Sequence, residues 1–143
     1  YYNGTLEDWC NISFYDCYFN PMYYADHFYM LNEYNEWYEV TEIVIPDTVT
    51  EIGNYQFRGF NNITSVIIPE SVTSIGNYAF LDCRKLNDVT MGHHIPPAIG
   101  TGVFDDCENF RYIVVRKSAL DKYKAATDWD AYESRFHIKN DFE

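Results

Sequence analysis

The sequence has no lysine or arginine before Arg58 and no run of 18 apolar residues. The missing run excludes an ordinary membrane-spanning helix, and no charged, apolar and small-residue leader marks a signal peptide. Residues 1–57 hold ten acidic side chains, a charge of −10, whereas residues 58–143 hold twelve acidic and ten basic ones, a charge of −2. We expect neither nucleic acid nor anionic lipid as a partner, because acidic surfaces repel phosphate. The plainer interpretation is that the acids keep a tyrosine-rich segment in solution.

Motifs of common enzyme and metal sites are missing as well. The chain has no G-x-S-x-G, no H-E-x-x-H, no phosphate-binding glycine loop and no C-x-x-C pair. Its adjacent histidines, His93 and His94, are flanked by glycine and proline. Adjacent side chains on such a turn diverge, and no third ligand has a diagnostic spacing. We therefore expect no catalytic residue, no metal and no cofactor.

What the sequence does contain is a repeat. The segments IPDTVTEIGNYQF, from Ile45, and IPESVTSIGNYAF, from Ile68, lie 23 residues apart, and a third copy follows after 24 more. Equivalent positions hold Gly53, Gly76 and Gly100; Phe57, Phe80 and Phe104; Ile52, Ile75 and Ile99; and Phe60, Cys83 and Cys107. A period of about 20 to 29 residues with apolar residues at fixed offsets predicts stacked units with one short strand each.

Each unit contains a predicted strand of β-branched residues. The strands are predicted at Ile43–Ile45, Val66–Ile68, Val89–Met91 and Ile113–Val115. Alternation directs the first and last residue of each triplet into the core and the middle residue outward. We expect the glycine column at a bend with positive φ, and the phenylalanine column between neighbouring units.

Residues 1–39 do not fit the unit and predict one enlarged, irregular repeat. Thr5 with Asp8, and Asn20 before Pro21, predict two helix starts, and a hairpin is expected before Ile43. Nine of the 14 tyrosines lie in this segment. They either form a binding surface or supply bulky rings that close a small core.

The C-terminal segment also departs from the repeat. After a strand at Tyr112–Val115 we expect a helix from about Ala119 to Ala126, with Ser118 and Asp121 as a capping box. An uncovered last unit would expose an apolar face and a strand edge. Three apolar side chains are available to cover it: Leu120, Tyr123 and Trp129.

The four cysteines leave two pairings open. Cys83 and Cys107 are equivalent in neighbouring units, and they form either a ladder of buried thiols, which we favour, or a disulfide. Six residues separate Cys10 from Cys17, and an oxidising environment would let them pair. Sequence alone does not fix this connectivity.

The segments IPDTVTEIGNYQF, IPESVTSIGNYAFLDC and VVRKSALDKYKAATDW resemble BspA-type leucine-rich repeats of bacterial surface proteins over residues 40–132. YYNGTLEDW and NPMYYADHFYM are similar to an irregular repeat found in such arrays. We therefore predict one domain, an α/β solenoid with a right-handed leucine-rich repeat coil and a short parallel sheet. It comprises an irregular repeat (1–39), regular repeats (40–110), and a last strand with a C-terminal helical cap (111–143). Gln56 and Phe60 depart from the repeat, where the later units have Ala79 and Cys83.

The resemblance implies an extracellular or cell-surface protein of host-associated bacteria, some members of which adhere to host matrix proteins or other cells. We expect a non-enzymatic, monomeric module that binds a protein ligand through the outward face of its sheet. The candidate residues form two columns: Glu42, Ser65, Asp88 and Tyr112 in one, and Val44, Ile67, Thr90 and Val114 in the next. The alternative for these residues is an ordinary solvated sheet face.

Two other functions stay open. One is a structural spacer or stalk that binds nothing itself. The other is a carbohydrate-binding module that uses Tyr1, Tyr2, Trp37 and Tyr38 as stacking platforms. The chain opens at Tyr1 without an initiator methionine, so we expect it to be part of a longer protein, with any leader or anchor outside this sequence.

Overall fold

A computed structural model describes residues 1–138; residues 139–143 of the predicted C-terminal segment lie outside the described residues. Within the described chain, the strands are β1 (Tyr29–Leu31), β2 (Trp37–Glu39), β3 (Glu42–Val44), β4 (Glu51–Ile52), β5 (Ser65–Ile68), β6 (Ser74–Ile75), β7 (Asp88–Met91), β8 (Ala98–Ile99), β9 (Tyr112–Val115) and β10 (Phe136–Ile138). The α-helices of the same residues are α1 (Leu6–Cys10) and α2 (Leu120–Ala125), with 3-10 turns at Pro21–Tyr23, Lys117–Ala119 and Asp130–Arg135.

Two parallel sheets run across the repeats. The larger has the strand order β10-β9-β7-β5-β3, and the smaller has the order β4-β6-β8. Ser65 pairs with Glu42 on one side and with Asp88 on the other, so each residue lies beside its equivalent in the next repeat, as the period predicts. The smaller sheet was not predicted, because strands of two residues are too short to show alternation. Strand β10 was also not predicted.

The core consists of columns of equivalent side chains. The rings of Phe57 and Phe80 stack with centroids 5.2 Å apart, and those of Phe80 and Phe104 with centroids 5.7 Å apart. This confirms the predicted phenylalanine column. The inward strand residues are also buried as predicted: Ile43, Ile45, Val66, Ile68, Val89, Met91, Ile113 and Val115. Burying each of these side chains stabilises the fold by about 1.5–3 kcal/mol, before the entropy of ordering it.

The predicted positive φ of the glycine column is wrong. In the described chain, positive φ occurs at Asn35, Tyr55, Gly59, Tyr78, Asp82, Gly102 and Asp106. Close packing between repeats explains two of the column glycines instead. A Cβ on Gly76 would lie 2.6 Å from the backbone N of Asn54, and one on Gly100 would lie 2.4 Å from Oδ1 of Asn77. These asparagines link repeats, because the Oδ1 of Asn54 accepts a hydrogen bond from the Asn77 N–H at 2.8 Å.

The C-terminal segment starts differently from the prediction. Ser118 lies inside a 3-10 turn, and the residue before helix α2, Ala119, makes no capping hydrogen bond with its side chain. The predicted capping box of Ser118 and Asp121 is therefore wrong, because Ser118 does not occupy the extended position that an N-cap requires. The segment nevertheless buries Tyr123 and Trp129.

Residues 1–39 pack onto the first regular repeat through hydrogen bonds as well as rings. The indole Nε1 of Trp9 donates to the backbone oxygen of Gln56 at 2.9 Å, and Nε2 of Gln56 donates to the backbone oxygen of Trp9 at 2.6 Å. Phe60 contacts the ring of Trp9, with centroids 5.5 Å apart. Gln56 and Phe60 therefore depart from the repeat because they face an irregular neighbour.

The local predictions for this segment are confirmed. Thr5 and Asp8 form a reciprocal capping box at α1. The Asn20 side chain accepts a hydrogen bond from the Met22 N–H. Strands β1 and β2 pair antiparallel as the predicted hairpin.

Candidate functional site

The outward face of the five-stranded sheet carries the eight predicted residues in two columns. Strand register places Glu42, Ser65, Asp88 and Tyr112 side by side, and Val44, Ile67, Thr90 and Val114 side by side. Val44 is 52% exposed, Ile67 38% and Tyr112 44%. Their role in binding stays a prediction, but their arrangement on one face is the predicted one.

Val114 and His137 make the C-terminal end of this face differ from the prediction. Val114 is buried rather than exposed, because it lies between Thr90 and His137 of the unpredicted strand β10. At the same end, the rings of Tyr112 and His137 have centroids 5.4 Å apart. The apolar part of the face therefore centres on β3 and β5, and an aromatic pair marks its C-terminal end.

The irregular repeat divides its aromatic residues between core and surface. Trp9, Phe14 and Phe28 are buried and close the core next to Phe60. Nine other rings are exposed: Tyr1, Tyr15, Tyr18, Phe19, Tyr23, Tyr24, Tyr34, Trp37 and Tyr38. Of the four predicted stacking platforms, only Tyr2 packs inward, against the rings of Trp9 and Phe28.

Two of these exposed rings, with the half-buried ring of Tyr29, form the hairpin aromatic cluster, which consists of Tyr1, Tyr29 and Trp37. The ring of Tyr1 stacks on Tyr29 with centroids 5.0 Å apart and meets Trp37 edge-on, also at 5.0 Å. Tyr29 and Trp37 lie on the same side of the hairpin, since their strand partners are Glu39 and Leu31 respectively. The cluster thus projects from one face of a paired element.

A polar ladder adjoins this cluster and consists of His27, Glu39, Asn62 and Lys85. Oε1 of Glu39 lies 2.6 Å from Nδ1 of His27 and accepts a hydrogen bond from Nδ2 of Asn62 at 2.7 Å. Lys85 donates to Oδ1 of Asn62 at 2.8 Å. Hydrogen bonds from His27 and then Asn62 hold the pKa of Glu39 below its ordinary value. The ladder joins the hairpin to the regular repeats.

A second group of exposed rings lies elsewhere in the irregular repeat. Tyr18 and Tyr23 have ring centroids 5.0 Å apart, and Tyr23 and Tyr24 have centroids 4.7 Å apart. The guanidinium carbon of Arg58 lies 4.3 Å from the centre of the Tyr23 ring, a cation–π contact. This contact fixes Arg58 against the aromatic group.

The cysteines are free thiols. Cys83 donates to the backbone oxygen of Phe57 and Cys107 to that of Phe80, both at 3.1 Å. These two form the thiol ladder that we favoured, but only Cys83 is buried, and Cys107 is half-buried. Cys10 and Cys17 are unpaired, and burial raises the pKa of Cys10 to about 12.

His93 and His94 do not act together. His93 is buried and its Nε2 donates to the backbone oxygen of Val72 at 2.6 Å, while His94 is exposed. Burial lowers the pKa of His93, against smaller opposing effects of Val72 and Glu70. Within residues 1–138, no group of three or more His, Cys, Asp or Glu side chains is placed to hold a metal ion. No helix of the same residues has the length and apolar character to cross a bilayer.

Comparison with protein families agrees with the repeat pattern. A family model described as "BspA type Leucine rich repeat region" matches residues 30–126 in six copies. Among solved structures, a leucine-rich cell surface protein from Faecalibacterium prausnitzii is 27% identical with a TM-score of 0.44, covering 67% of this chain and 29% of that one. The chain thus spans less than a third of the length of that protein. The comparison with curated proteins found no match.

Proposed function

Because this chain belongs to the BspA-type leucine-rich repeat family, we propose that it is a non-enzymatic recognition module of a bacterial cell-surface protein. In this proposal it binds a protein ligand through the outward face of the five-stranded sheet. The family match covers most of the chain and indicates no catalytic family. The site is the two columns of outward residues described above.

The observation that carries the proposal is a strip of exposed apolar side chains on a parallel sheet. Val44 and Ile67 pair directly across β3 and β5 and are 52% and 38% exposed. Polar residues border them, including Glu42, which accepts a hydrogen bond from the Ser65 hydroxyl at 3.1 Å. An apolar centre with a polar rim is the usual composition of a protein interface.

The finer architecture supports such a surface. We infer that the repeats follow a right-handed α/β solenoid in which residues 1–39 are an enlarged repeat and the C-terminal segment is a helical cap. The parallel strand order supports the coil. The burial of Tyr123 and Trp129 supports the cap. A monomer closed at its C-terminal end would leave the sheet face as its recognition surface.

We further propose an extracellular location and a ligand of the host matrix or of a neighbouring cell. The charge of −10 over residues 1–57 favours partners other than nucleic acid and anionic lipid, because an acidic surface repels phosphate groups. The repeat family supports a surface location.

Binding to a panel of purified extracellular matrix proteins, followed by surface plasmon resonance, tests the proposal. We expect Ile67→Glu to weaken the observed binding by about tenfold or more, because it places a charge at the centre of the apolar strip. Ile95→Glu is the matched control, since Ile95 is 70% exposed outside the sheet. Equal binding by both variants would contradict the sheet face as the site. Absence of binding by the unaltered chain to every ligand would favour the spacer function.

A further inference from the structure

We propose that the hairpin aromatic cluster, together with His27, Glu39 and Asn62 of the polar ladder, is a binding site for a neutral carbohydrate. The hairpin site is distinct from the outward sheet columns, and the proposal does not depend on the protein-binding function. Exposed ring faces, adjacent hydrogen-bonding groups and local charge support a carbohydrate ligand.

The ring faces are available and held in place. Tyr1 is 83% exposed although one face of its ring packs on Tyr29, and Trp37 is 46% exposed and stands at 79° to Tyr1. An aromatic face carries partial negative charge. The C–H bonds on the face of a pyranose ring carry partial positive charge, so a sugar packs favourably on such a face. Because the rings are already positioned against one another, a ligand does not have to order them.

Hydrogen-bonding groups lie where the hydroxyls of a stacked sugar would reach. Glu39 is the strand partner of Tyr29, two residues from Trp37 on the same side of the hairpin. Its contacts with His27 and Asn62 fix the carboxylate through Oε1. A carboxylate has about four acceptor positions, so these contacts leave capacity for sugar hydroxyls.

Local charge and composition define the class of ligand. No lysine or arginine occurs among residues 1–57, which carry ten acidic side chains, and the ladder's Lys85 already donates to Oδ1 of Asn62. The net negative charge would therefore repel a uronic acid or a sulfated glycan. The cluster is bordered by the polar side chains of His27, Glu39 and Asn62 and by Leu31, the half-buried strand partner of Trp37. That combination fits a ligand with an apolar ring face and a rim of hydroxyls, which describes a neutral hexose chain better than a protein surface.

A glycan array of neutral and acidic oligosaccharides, followed by calorimetric titration with the strongest neutral ligand, tests the proposal. We expect Trp37→Ala to weaken binding by about tenfold or more, since a large part of the stacking surface is lost. We expect Trp37→Phe to keep part of the affinity that Trp37→Ala loses, and we expect Glu39→Gln to weaken binding. Tyr34→Ala is the control and should bind as the unaltered chain does, because Tyr34 is 75% exposed on the hairpin turn outside the cluster.

Each outcome decides the proposal. Neutral-glycan binding that is lost in Trp37→Ala and Glu39→Gln and kept in Tyr34→Ala supports it. Binding to no neutral glycan, or undiminished binding by folded Trp37→Ala, overturns it. If Trp37→Ala abolishes binding to a matrix protein and no glycan binds, the cluster belongs to a protein interface instead. Ile67→Glu should leave glycan binding unchanged, so that failure of the sheet-face function and failure of this site are distinguishable.

Discussion

The regular repeats and the irregular repeat are held together by different means. In residues 40–110, core side chains at equivalent positions of neighbouring repeats pack on one another, as the stacked rings of Phe57 and Phe80 show. Residues 1–39 are fixed to the first regular repeat by individual hydrogen bonds, such as those between Trp9 and Gln56. Periodic packing buries the inward apolar positions and leaves a few outward ones exposed, such as Val44, Ile67 and Ile95, whereas the irregular segment leaves nine of its rings exposed.

This difference shows which part of the surface follows from the repeat and which part does not. In the periodic core, the same packing arrangement recurs in each repeat. Its surface is therefore regular, and residue identity varies mainly in the outward columns. The backbone polar groups of the irregular segment need hydrogen-bond partners of their own, but its aromatic side chains do not have to follow the repeat pattern. A candidate binding surface is therefore available in each region, one made of strands and the other of exposed rings.

The largest effect is expected in the phenylalanine column. Phe80→Ala should lower the free energy of unfolding by about 3–5 kcal/mol, because it opens a cavity between two stacked rings. Urea denaturation measures this change. Phe19→Ala is the control from the irregular repeat, where the ring is 64% exposed, and a change within about 0.5 kcal/mol is expected. Equal losses in the two variants would contradict the distinction between the regions.

A smaller effect is expected in the glycine column. Gly76→Ala should cost about 1–3 kcal/mol, because its Cβ would lie against the backbone of the preceding repeat. Gly53 adjoins the irregular segment, and a Cβ there would meet the side-chain oxygen Oε1 of Gln56, at 2.8 Å, rather than backbone atoms. Thermal unfolding of Gly53→Ala should therefore show a smaller loss. A larger loss for Gly53→Ala than for Gly76→Ala would show that spacing between repeats does not select these glycines.

Gln56→Ala tests the connection between the two regions. Loss of its hydrogen bond to the Trp9 carbonyl should cost about 1 kcal/mol and loosen residues 1–39 more than the repeats. Hydrogen exchange measured by mass spectrometry should show faster exchange in α1 and β1 while β5 and β7 stay protected. Tyr34→Ala serves as the control with unchanged exchange. A uniform loss of protection along the chain would mean that the two regions unfold together.

The smallest effect is expected from pH. The pKa of His93 is lowered in the folded chain from an ordinary value of 6.5, so the unfolded chain binds more protons below that value. Stability should therefore fall as pH decreases from about 7.5 to 5.5, a range above the titration of most carboxylates. Urea midpoints should depend less on pH in His93→Gln than in His94→Gln. An identical dependence in both variants would exclude His93 as the source.

The packing of the repeats was predictable because each position lies next to the equivalent position of the neighbouring repeat. The alignment of Phe57, Phe80 and Phe104 alone predicts which side chains stack. Departures at Gln56 and Phe60 were visible in the same alignment. Their partner, Trp9, was not, because a contact across 47 residues outside the period leaves no pattern in the sequence.

The remaining differences have the same origin. Strand β10 follows no repeat, so the burial of Val114 beside His137 could not be derived from alternation. Exposure of Tyr1 and Trp37 likewise depends on how one hairpin packs. The sequence shows that the glycines form a column. It does not show why glycine is needed there, because the reason for Gly76 and Gly100 is close contact with an asparagine of the neighbouring repeat, and such a distance cannot be read from residue identities.

In-register stacking also means that the array can gain or lose residues without disruption only as whole repeats. Removing residues 65–87, a block of 23, would bring β7 beside β3 and the ring of Phe104 beside that of Phe57, with every inward and outward position preserved. Removing 22 residues instead would reverse the faces of the following strand. The unit that carries Gln56 and Phe60 is not interchangeable in this way, because the irregular repeat attaches there. Gene duplication or protein engineering can therefore lengthen or shorten the middle of this molecule, while its first junction stays fixed.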